Sequence, residues 1–464
     1  MSSPSGSPMV DERFRWEPQP AAQRIIDDLV NAALERCSFA RTLSERMLTE
    51  TATRFIDWVD YVQVSRSDAM VAPIRSAGFE RVGPCPGGEL WVHPGGLFPK
   101  LVLRDDASPA LRLGIIVERL DDFLTAHGRS DREMHGGDFA PYRFAEVAAD
   151  DGAELVAVER HGYQGFDLVH VREDWDEVCA RHLEHFRTRP RGGVPEAIAF
   201  EEARNRIDDA LADLGVGPTC DLFFRAERDY WESRNTAGRV QHERQDRLGL
   251  GWANHDHHTF RSSREHFTSA IALFEALGLE CREAFHAGAD AGWGAQVLES
   301  AECGIVVFCD VDMTPDELMG DFAHRGFERP VDALGTVGLW TGLHGESVLQ
   351  AGMHHLEAQF DWHALVEQLE REHRIMTMAP FTTFPFLRQA FTEGERWVID
   401  PVRIETLERK KLITAEQAST FRSEGAVGSH LENLERNDGF KGFNQAGVSD
   451  IIRRTDPRDI AQAG

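Results

Sequence analysis

The sequence predicts an α+β fold assembled from β-α-β-β-β units. After residue 250 a strand-like stretch, "ANHDHHTFR", precedes a helical pattern, "SSREHFTSAIALFEALG", and two strand-like stretches, "GAQVLES" and "GIVVFCDV". The same order returns at "QAGMHHLEAQF" and "DWHALVEQLERE", with further strand patterns up to "FPFLRQAF". Residues 111–170 show a weaker copy of this order. The units repeat in their pattern of apolar residues and not in residue identity.

The elements of the first half follow from local patterns. Residues 1–19 are rich in Ser and Pro, which predicts disorder, and a helical spacing then runs from "AAQRIIDDLVNAALERC" to about residue 65. "ELWVHPGG" and "LFPKLVLRDD" are strand-like, and "LRLGIIVERLDDFLTAHG" predicts a strand and a short helix that ends at Gly128. "YRFAEVAADDGAELVAVERHG" predicts a hairpin that turns at Asp151-Gly152.

The middle of the chain suggests a domain boundary. "FEEARNRIDDALADLG" is helical, and the polar stretch 225–251 predicts an exposed helix that connects two domains, with the boundary near residue 240. We therefore expect a disordered segment 1–19, an N-terminal α+β domain 20–240 and a metal-binding catalytic domain 241–464. The role of the N-terminal domain is left open, and a degenerate unit is one interpretation.

Helix signals are clear in the second half. Ser262 and Glu265 predict a capping box, Phe267, Ile271 and Phe274 form the inner apolar stripe, and Gly278 ends the helix. Between the later strand patterns, "PVRIETLERKKLITAEQASTFRSEG" predicts an inserted pair of helices.

Composition excludes several classes of function. The 464 residues carry a net charge of -28, which argues against a nucleic-acid partner because such binding requires clustered Lys and Arg. The seven cysteines are widely spread without a CxxC motif, as expected for reduced thiols in the cytoplasm. The N-terminus has no apolar signal region and no apolar run is long enough to cross a bilayer, so no membrane association is expected. A homodimer is left open.

The histidine-rich stretch "NHDHHTFRSSREHF" carries the first chemical signal. Side chains alternate along a strand, so His257 and Arg261 share a face, with Cα atoms roughly 13 Å apart. A metal ion on His257 and the planar fork of Arg261 can hold two ends of one small anion. Equally, the histidines can be hydrogen-bonded strand residues, and Arg261 can be a structural partner of Asp256.

One strand cannot supply a complete mononuclear site, so other segments must contribute ligands. His354 or His355 in "GMHHLEAQF" is the candidate for a second histidine. Two histidines and one carboxylate on one face are typical of non-heme Fe(II) oxygenases. The candidate carboxylates are Glu299, Glu393, Glu395, Glu432 and Glu435.

Three segments resemble the 2-oxoadipate dioxygenase/decarboxylase (hydroxyglutarate synthase) family, which is related to the vicinal-oxygen-chelate enzymes. "HHTFRSSREHFTSAIALFEALG" resembles its first metal-site segment, and "HHLEAQFD" resembles its second. A Leu-Arg-Gln motif that follows in the family is matched at residues 387–389. "GSHLENLERNDGFKG" resembles the segment in which the family has Gly-Ser-His, a Glu four residues before an Arg, and Lys-Gly.

The resemblance implies a vicinal-oxygen-chelate-like fold, in which the β-α-β-β-β modules form a half-open barrel around a metal site, with helical additions. It implies that His257, His355 and Glu432 bind Fe(II), with Mn(II), Zn(II) and Ni(II) as alternatives. Arg261 would hold the carboxylate of the substrate and Gln389 would lie beside the site. The implied activity is decarboxylation and oxygenation of a 2-oxoadipate-like 2-oxo acid with O2.

Several alternatives stay open at this point. Counting forward from His430 favours Glu435 over Glu432, Glu393 is a further candidate, and either carboxylate of "SHLENLERN" can also belong to a helix face. His354 and His355 cannot both face the site. A metal-dependent isomerase, lyase or hydrolase on the same scaffold, or an inactive small-molecule-binding module, are the alternative functions.

Overall fold

A computed structural model describes residues 16–106, 110–287, 292–328 and 333–458 of the chain. The disorder predicted for residues 1–19 falls mostly on residues 1–15, which lie outside the described residues.

The first half contains an eight-stranded sheet made of two consecutive β-α-β-β-β units. The strand order is β2-β3-β4-β1-β5-β8-β7-β6, so that each unit forms one half of the sheet and β1 meets β5 at the centre. Two helices precede the sheet: α1 (Pro20–Arg36) and α2 (Ser38–Arg46). The first unit comprises β1 (Val59–Ser65), α3 (Asp68–Ser76), β2 (Glu80–Cys85), β3 (Gly88–Val92) and β4 (Lys100–Arg104). The second comprises β5 (Leu111–Ile116), α4 (Leu120–Ala126), β6 (Met134–His135), β7 (Tyr142–Asp150) and β8 (Ala153–Arg160).

The prediction that the helical region extends to about residue 65 is wrong for its last part. Val59–Ser65 forms the central strand β1, which pairs in parallel with β4 and antiparallel with β5. This strand is buried along most of its length, and a short continuously apolar run cannot be assigned to helix or strand by periodicity alone. Residues 59–104 are therefore a unit that the sequence pattern did not reveal, beside the copy predicted in 111–170.

Four helices connect the two halves of the chain, and they are not an exposed linker. Arg225, Glu227, Gln241 and Arg244 in the stretch predicted to be exposed are buried. Polar side chains of these helices form hydrogen bonds inside the protein; Glu227, for example, accepts from two arginines. The polar composition of the stretch therefore did not indicate exposure to solvent. The helices are α5 (Trp175–Arg187), α6 (Glu196–Leu214), α7 (Val216–Glu232) and α8 (Thr236–Asp246).

The second half contains a nine-stranded sheet built from two further units. Its main path is β10-β11-β12-β9-β13-β17-β15-β14, and β16 pairs with β17 at the side. The third unit comprises β9 (His255–Arg261), α9 (Phe267–Ala276), β10 (Glu280–His286), β11 (Trp293–Ser300) and β12 (Ile305–Asp312), and is followed by α10 (Phe322–Arg325) and α11 (Thr336–His344). The fourth comprises β13 (His355–Gln359), α12 (Trp362–Gln368), β14 (Thr382–Phe384), β15 (Leu387–Phe391), β16 (Glu395–Trp397), α13 (Pro401–Arg409), α14 (Ala415–Glu424) and β17 (Ala426–Arg436), and α15 (Gln445–Arg454) comes last. The predicted α+β class with β-α-β-β-β modules is confirmed.

Two of the three predictions about helices in the second half are confirmed, and one is wrong. The inserted helical pair is present as α13 and α14, and Gly278 ends α9 with a positive φ of 82°. The capping box predicted at Ser262 is wrong, because α9 begins at Phe267 and the Ser262 hydroxyl donates to Glu346 at 2.8 Å instead.

Each sheet has a helical side and an opposite side. In the second half, α5, α6, α7 and α9 pack with the sheet in one large apolar core. The other side of that sheet carries a smaller aromatic cluster that includes Phe308 and Phe391 and is closed by Ile451 and Ile452 of α15. None of the described helices combines the length and apolar character needed to cross a bilayer.

Candidate metal centre

The strands β9, β13 and β17 lie side by side and each contributes one residue to a cluster. In the described part of the chain, the ligand atoms of His257, His355 and Glu432 all lie within 4.8 Å of one another. β13 is the middle strand, since it pairs antiparallel with β9 and parallel with β17. Residues that are distant in the chain thus meet on one face of the sheet because their strands are neighbours.

The distances within the cluster suit a single small cation. The Nε2 atom of His355 lies 3.0 Å from Oε2 of Glu432, and Nε2 of His257 lies 3.9 Å from the same oxygen. Donor atoms that bind one ion at bond lengths of about 2.0–2.2 Å are separated by roughly 3 Å when they meet at a right angle. All three residues are buried.

A second carboxylate, which the sequence interpretation missed, supports His257 from behind. The Oε2 atom of Glu357 lies 3.2 Å from Nδ1 of His257, and Glu357 has no solvent exposure. A carboxylate on the second ring nitrogen orients a histidine so that Nε2 points at the site. Alternation along β13 was the available signal, because Glu357 shares its face with His355.

Burial controls the charge of this cluster. Burial, followed by the nearby Asp256 charge, raises the pKa of Glu432 to about 8, and burial and the neighbouring Glu432 raise the pKa of Glu357 well above its usual value. Burial lowers the pKa of His355 well below its ordinary range. Burial also opposes ionisation of Asp256, but the Arg436 guanidinium outweighs this effect and lowers the pKa of Asp256. The imidazole of His355 is therefore neutral, and the carboxyl group of Glu432 is the donor from which a divalent cation would displace a proton.

Gln389 lies beside the candidate ligands. Its Nε2 atom lies 3.3 Å from Oε1 of Glu432 and 3.2 Å from Oε2 of Glu357, so the amide bridges the two carboxyl groups.

Arg261 lies on the same strand as His257, but its surroundings differ from the expected substrate contact. Its guanidinium group is fully buried, lies 3.8 Å from Oδ2 of Asp310 and sits 5.5 Å from the ring centre of Trp340. None of its three guanidinium nitrogens has a hydrogen-bond partner among the described residues. Asp310 lines the cavity beside the cluster, whereas Arg261 stands behind it.

The alternative ligands do not join the cluster. Glu435 points to the other side of β17, where it accepts a hydrogen bond from the backbone of Trp362 at 3.0 Å. Glu393 is exposed. His354 is buried and contacts His355 through the two Nδ1 atoms at 2.9 Å, while its ring lies against Trp340. The helix-face interpretation of "SHLENLERN" is wrong, because these residues belong to an eleven-residue strand.

The remaining carboxylates are engaged elsewhere. Glu299 forms ion pairs with Arg282 at 2.9 Å and Lys441 at 2.9 Å. Glu395 accepts a hydrogen bond from the backbone of Thr236 at 3.1 Å.

A small and mainly apolar cavity adjoins the cluster. Its volume is about 30 Å³, roughly enough for one water molecule. The polar groups in its wall, besides the three candidate ligands, are Thr259, Asp310 and Gln389. The apolar wall is formed by Phe285, Trp293, Phe308, Phe381, Phe391, Phe443, Val448, Ile451 and Ile452.

The first sheet carries no comparable set of donors among the described residues. Two other acid–histidine groups lie close enough together to hold an ion, one exposed at Glu275, Cys281 and His324 and one made of Asp256, His257 and Glu357. Neither uses a strand of the first sheet. The strands β5 and β8 of the first sheet correspond to β13 and β17 of the second. Glu357 lies beside Glu432 on β13 and β17, whereas Arg112 and Glu154 form an ion pair at 2.7 Å on β5 and β8.

Comparison with known proteins gives only distant likenesses. No family model and no curated protein matches the chain. A mutant of 4-hydroxymandelate synthase from Streptomyces coelicolor aligns over 86% of this chain and 98% of its own, with 12% identity and a TM-score of 0.26. A glyoxalase superfamily protein from Ralstonia eutropha JMP134 aligns over 58% of this chain and 97% of its own, with 12% identity and a TM-score of 0.32.

A third solved structure, methylmalonyl-CoA epimerase from Mycobacterium tuberculosis, aligns over 40% of this chain and 88% of its own, with 12% identity and a TM-score of 0.22. Likenesses of this size carry no argument about the reaction.

Proposed function

We propose that this protein is a mononuclear metal-dependent enzyme that binds Fe(II) at His257, His355 and Glu432 and oxidises a 2-oxo acid with O2 and loss of CO2. The observation that carries the proposal is the convergence of two histidines and one carboxylate, from three adjacent strands, on one buried point beside a cavity. This donor set leaves coordination positions free for substrate and O2.

The residues present fit such an ion. A histidine binds a metal through its neutral imidazole, the form that burial favours for His355. Burial makes the carboxyl group of Glu432 hard to ionise, but a dication beside it would make that ionisation favourable. Glu357 and Gln389 hold His257 and Glu432 in place through contacts of 3.2 and 3.3 Å. When bound, the metal supplies a template for the 2-oxo acid and a redox centre for O2.

The chain's own residues have separate tasks in this proposal. The aromatic wall, with the rings of Phe308 and Phe391 tilted against those of His257 and His355, would exclude water from the reacting groups. Asp310 is one of the polar groups that a substrate would meet in the cavity wall, and Arg261 behind it partly offsets the cost of its charge. Burial raises the pKa of Asp310 to about 7, so this carboxyl can accept or donate a proton near neutral pH.

The cavity also bears on the identity of the 2-oxo acid. Its nine apolar side chains surround the candidate ligands, and Arg261 does not reach its surface. A second, distal carboxylate as in 2-oxoadipate would lack a cationic partner there, whereas an apolar side chain would be buried favourably. We therefore propose a 2-oxo acid with an apolar side chain over 2-oxoadipate itself.

A non-redox enzyme that uses Zn(II), Mn(II) or Ni(II) at the same residues is the second candidate. A fourth protein ligand would favour it, and Glu299 and His354 were the residues that could have provided one. Glu299 is held by two cations away from the cluster and His354 faces Trp340, so neither adds a fourth ligand. Catalytic zinc sites also use three protein ligands, so the O2-uptake experiment separates the two candidates. An inactive binding module stays a third candidate that only turnover can exclude.

The deciding experiment is anaerobic reconstitution with Fe(II), followed by measurement of O2 uptake and CO2 release. The panel contains pyruvate, 2-oxoglutarate, 2-oxoadipate, 4-methyl-2-oxopentanoate and phenylpyruvate. We expect turnover with at least one apolar member. Absence of O2 uptake and CO2 release with the whole panel, in a protein shown to contain one iron per chain, would remove the oxygenase proposal and leave the non-redox and binding alternatives.

The ligand assignment is tested separately by metal content. We expect His257→Ala, His355→Ala and Glu432→Ala each to lose the ion, because two remaining donors bind a divalent cation weakly. Glu435→Ala, on the opposite face of β17, is the matched control and is expected to keep one ion per chain. Full metal stoichiometry in all three ligand variants would refute the site.

A further inference from the structure

A second cavity lies between the two sheets and has its own polar chemistry. Its volume is about 190 Å³, room for roughly six water molecules, and it shares no lining residue with the cavity beside His257. Its wall is built from the ends of β5 and β8, from α7 and from the turn before β12. It is therefore large enough for a small organic anion.

Two arginines on one face of α7 line this cavity. Arg225 and Arg228 are three residues apart on the helix, so their side chains are neighbours. Only 8% of Arg225 and 6% of Arg228 is exposed to solvent. Two guanidinium groups on neighbouring turns of a mostly buried wall present several hydrogen-bond donors to the cavity.

Arg225 and Arg228 form no ion pair with a carboxylate in the described parts of the chain, unlike the neighbouring pair Arg189 and Arg191. Arg189 and Arg191 share Glu227, the residue just before Arg228, at 2.5 and 2.6 Å. In contrast, no hydrogen bond or ion pair joins Arg225 to any residue in the described parts of the chain. Arg228 contacts only the ring nitrogen Nε2 of His258, at 3.2 Å, and its own Nε has no partner.

The acidic residues of the same wall have hydrogen-bonded partners other than these arginines. Asp221 accepts from His161 at 2.9 Å, and Glu118 accepts from the backbone of Trp252 at 2.7 Å and from His242 at 3.2 Å. Burial opposes protonation of both imidazoles, yet the carboxylates around them raise the pKa of His161 to about 9 and that of His242 to about 10. Both rings are thus cations at neutral pH, and each lies between two carboxylates, His161 between Asp221 and Glu159 and His242 between Glu118 and Glu232. The charges of Arg225 and Arg228 also help to lower the pKa of Asp221 and Glu118, but neither arginine forms a hydrogen bond or ion pair with these carboxylates.

We infer that Arg225 and Arg228 form a binding site for a small oxyanion, a phosphate or carboxylate group, that is separate from the proposed metal centre. Planar guanidinium forks bind both kinds of group bidentately. The anion would supply the hydrogen-bond acceptors that Arg225 lacks and that Arg228 obtains only in part from His258.

The test is isothermal titration calorimetry on the full-length protein at constant ionic strength, with inorganic phosphate in one arm and malonate in the other. We expect one-to-one binding in at least one arm, and the arm that responds identifies the group. Arg225→Gln and Arg228→Gln are expected to weaken that binding about tenfold or more, the effect of losing one charged hydrogen-bonding partner. Arg204→Gln, on the exposed surface of α6, is the matched control and should bind as tightly as the unaltered protein.

A conservative variant separates the geometry of the guanidinium group from its charge. Arg225→Lys keeps the charge and removes the fork, so it is expected to fold as the unaltered protein does and to bind more weakly. Failure of both anions to bind, an unchanged Kd in Arg225→Lys and the Gln variants, or an equal loss in Arg204→Gln would each overturn the inference. None of these outcomes depends on metal content or turnover.

Discussion

At the scale of single residues, the candidate metal centre depends on partners that hold each donor in one orientation. His257 lies between the carboxyl group of Glu357 and the proposed ion position, and Glu432 is held by Gln389. The guanidinium group of Arg436 in turn forms ion pairs with Asp256 at 3.1 Å and with Glu357 at 3.7 Å. These contacts restrict the side chains in an interior where a misplaced polar group would be costly.

Glu357→Gln tests this orienting role. Because the pKa of Glu357 is raised, the amide closely resembles the neutral carboxyl group, and we expect the fold to be retained. Metal affinity is expected to fall by about 10- to 100-fold, as is usual when the outer partner of a metal-binding histidine is changed, while saturation still gives one ion per chain. Competition with a chelating dye measures the affinity. Glu435→Gln is the control, and equal affinities in the two variants would contradict an orienting role for Glu357.

His242 predicts a pH dependence of stability that is independent of the metal centre. Its imidazole lies 2.8 Å from Glu232 and 3.2 Å from Glu118, and these carboxylates raise its pKa to about 10 although burial opposes this. The unfolded pKa is about 6.5, so the stabilisation is fully present below about pH 6.5 and is lost as the pH rises through 10. The difference in free energy of unfolding between the unaltered protein and His242→Gln is therefore expected to be largest at pH 6 and to shrink by pH 10.

Urea unfolding at pH 6, 8 and 10 provides the measurement, and His363→Gln, at an exposed position, is the control. A difference for His242→Gln that is the same at pH 6 and pH 10 would show that the imidazolium does not provide this stabilisation.

At the scale of elements, α15 closes the cavity beside the candidate ligands. Val448, Ile451 and Ile452 of this helix line the cavity, and the two isoleucines are almost fully buried. A volume of about 30 Å³ cannot hold a 2-oxo acid. Under the proposed function, the helix or its neighbours would move to admit a 2-oxo acid to this cavity.

A shortened chain tests whether α15 is the barrier. We expect a protein that ends at Asn444 to lose its metal to a chelator several-fold faster than the full chain, because an apolar cover over the site is missing. A protein that ends at Arg458 retains α15 and serves as the control. Equal rates of metal loss in the two shortened chains, measured by stopped flow, would show that access does not depend on this helix.

At the scale of the whole molecule, the connecting helices belong to the core of the second sheet. The predicted boundary near residue 240 falls inside α8, and Phe223 and Phe224 of α7 pack in the same core as Phe260 and Phe274. The division into domains 20–240 and 241–464 stays a prediction, and the packing suggests a test of it.

Two fragments distinguish the possible boundaries. The fragment 241–464 would expose the apolar face that α5–α7 cover, whereas the fragment 167–464 keeps it covered. We expect the longer fragment to unfold cooperatively at a higher temperature and the shorter one to aggregate or unfold without a sharp transition, as followed by circular dichroism and size-exclusion chromatography. A stable, monomeric 241–464 fragment would instead support the boundary at 240.

The sequence by itself determined the features that depend on local periodicity. The helical pair α13–α14, the hairpin that turns at Asp151 and Gly152, the end of α9 and the repeated β-α-β-β-β order of the second half follow from spacing within about twenty residues. The linear order of His257, His355 and Glu432 was also visible, together with the resemblance that connects them.

The tertiary structure alone decided which strands became neighbours, and therefore which side chains met. It assigned β1 to the centre of the first sheet, buried the polar helices α7 and α8, and placed Glu357, and not Glu393 or Glu435, beside the candidate ligands. It also placed Arg261 behind Asp310 and Arg225 in a cavity between the two sheets. The physical reason is that burial and electrostatic pairing are properties of the complete packed interior, to which residues hundreds of positions apart contribute at once, whereas periodicity reports only on neighbours along the chain.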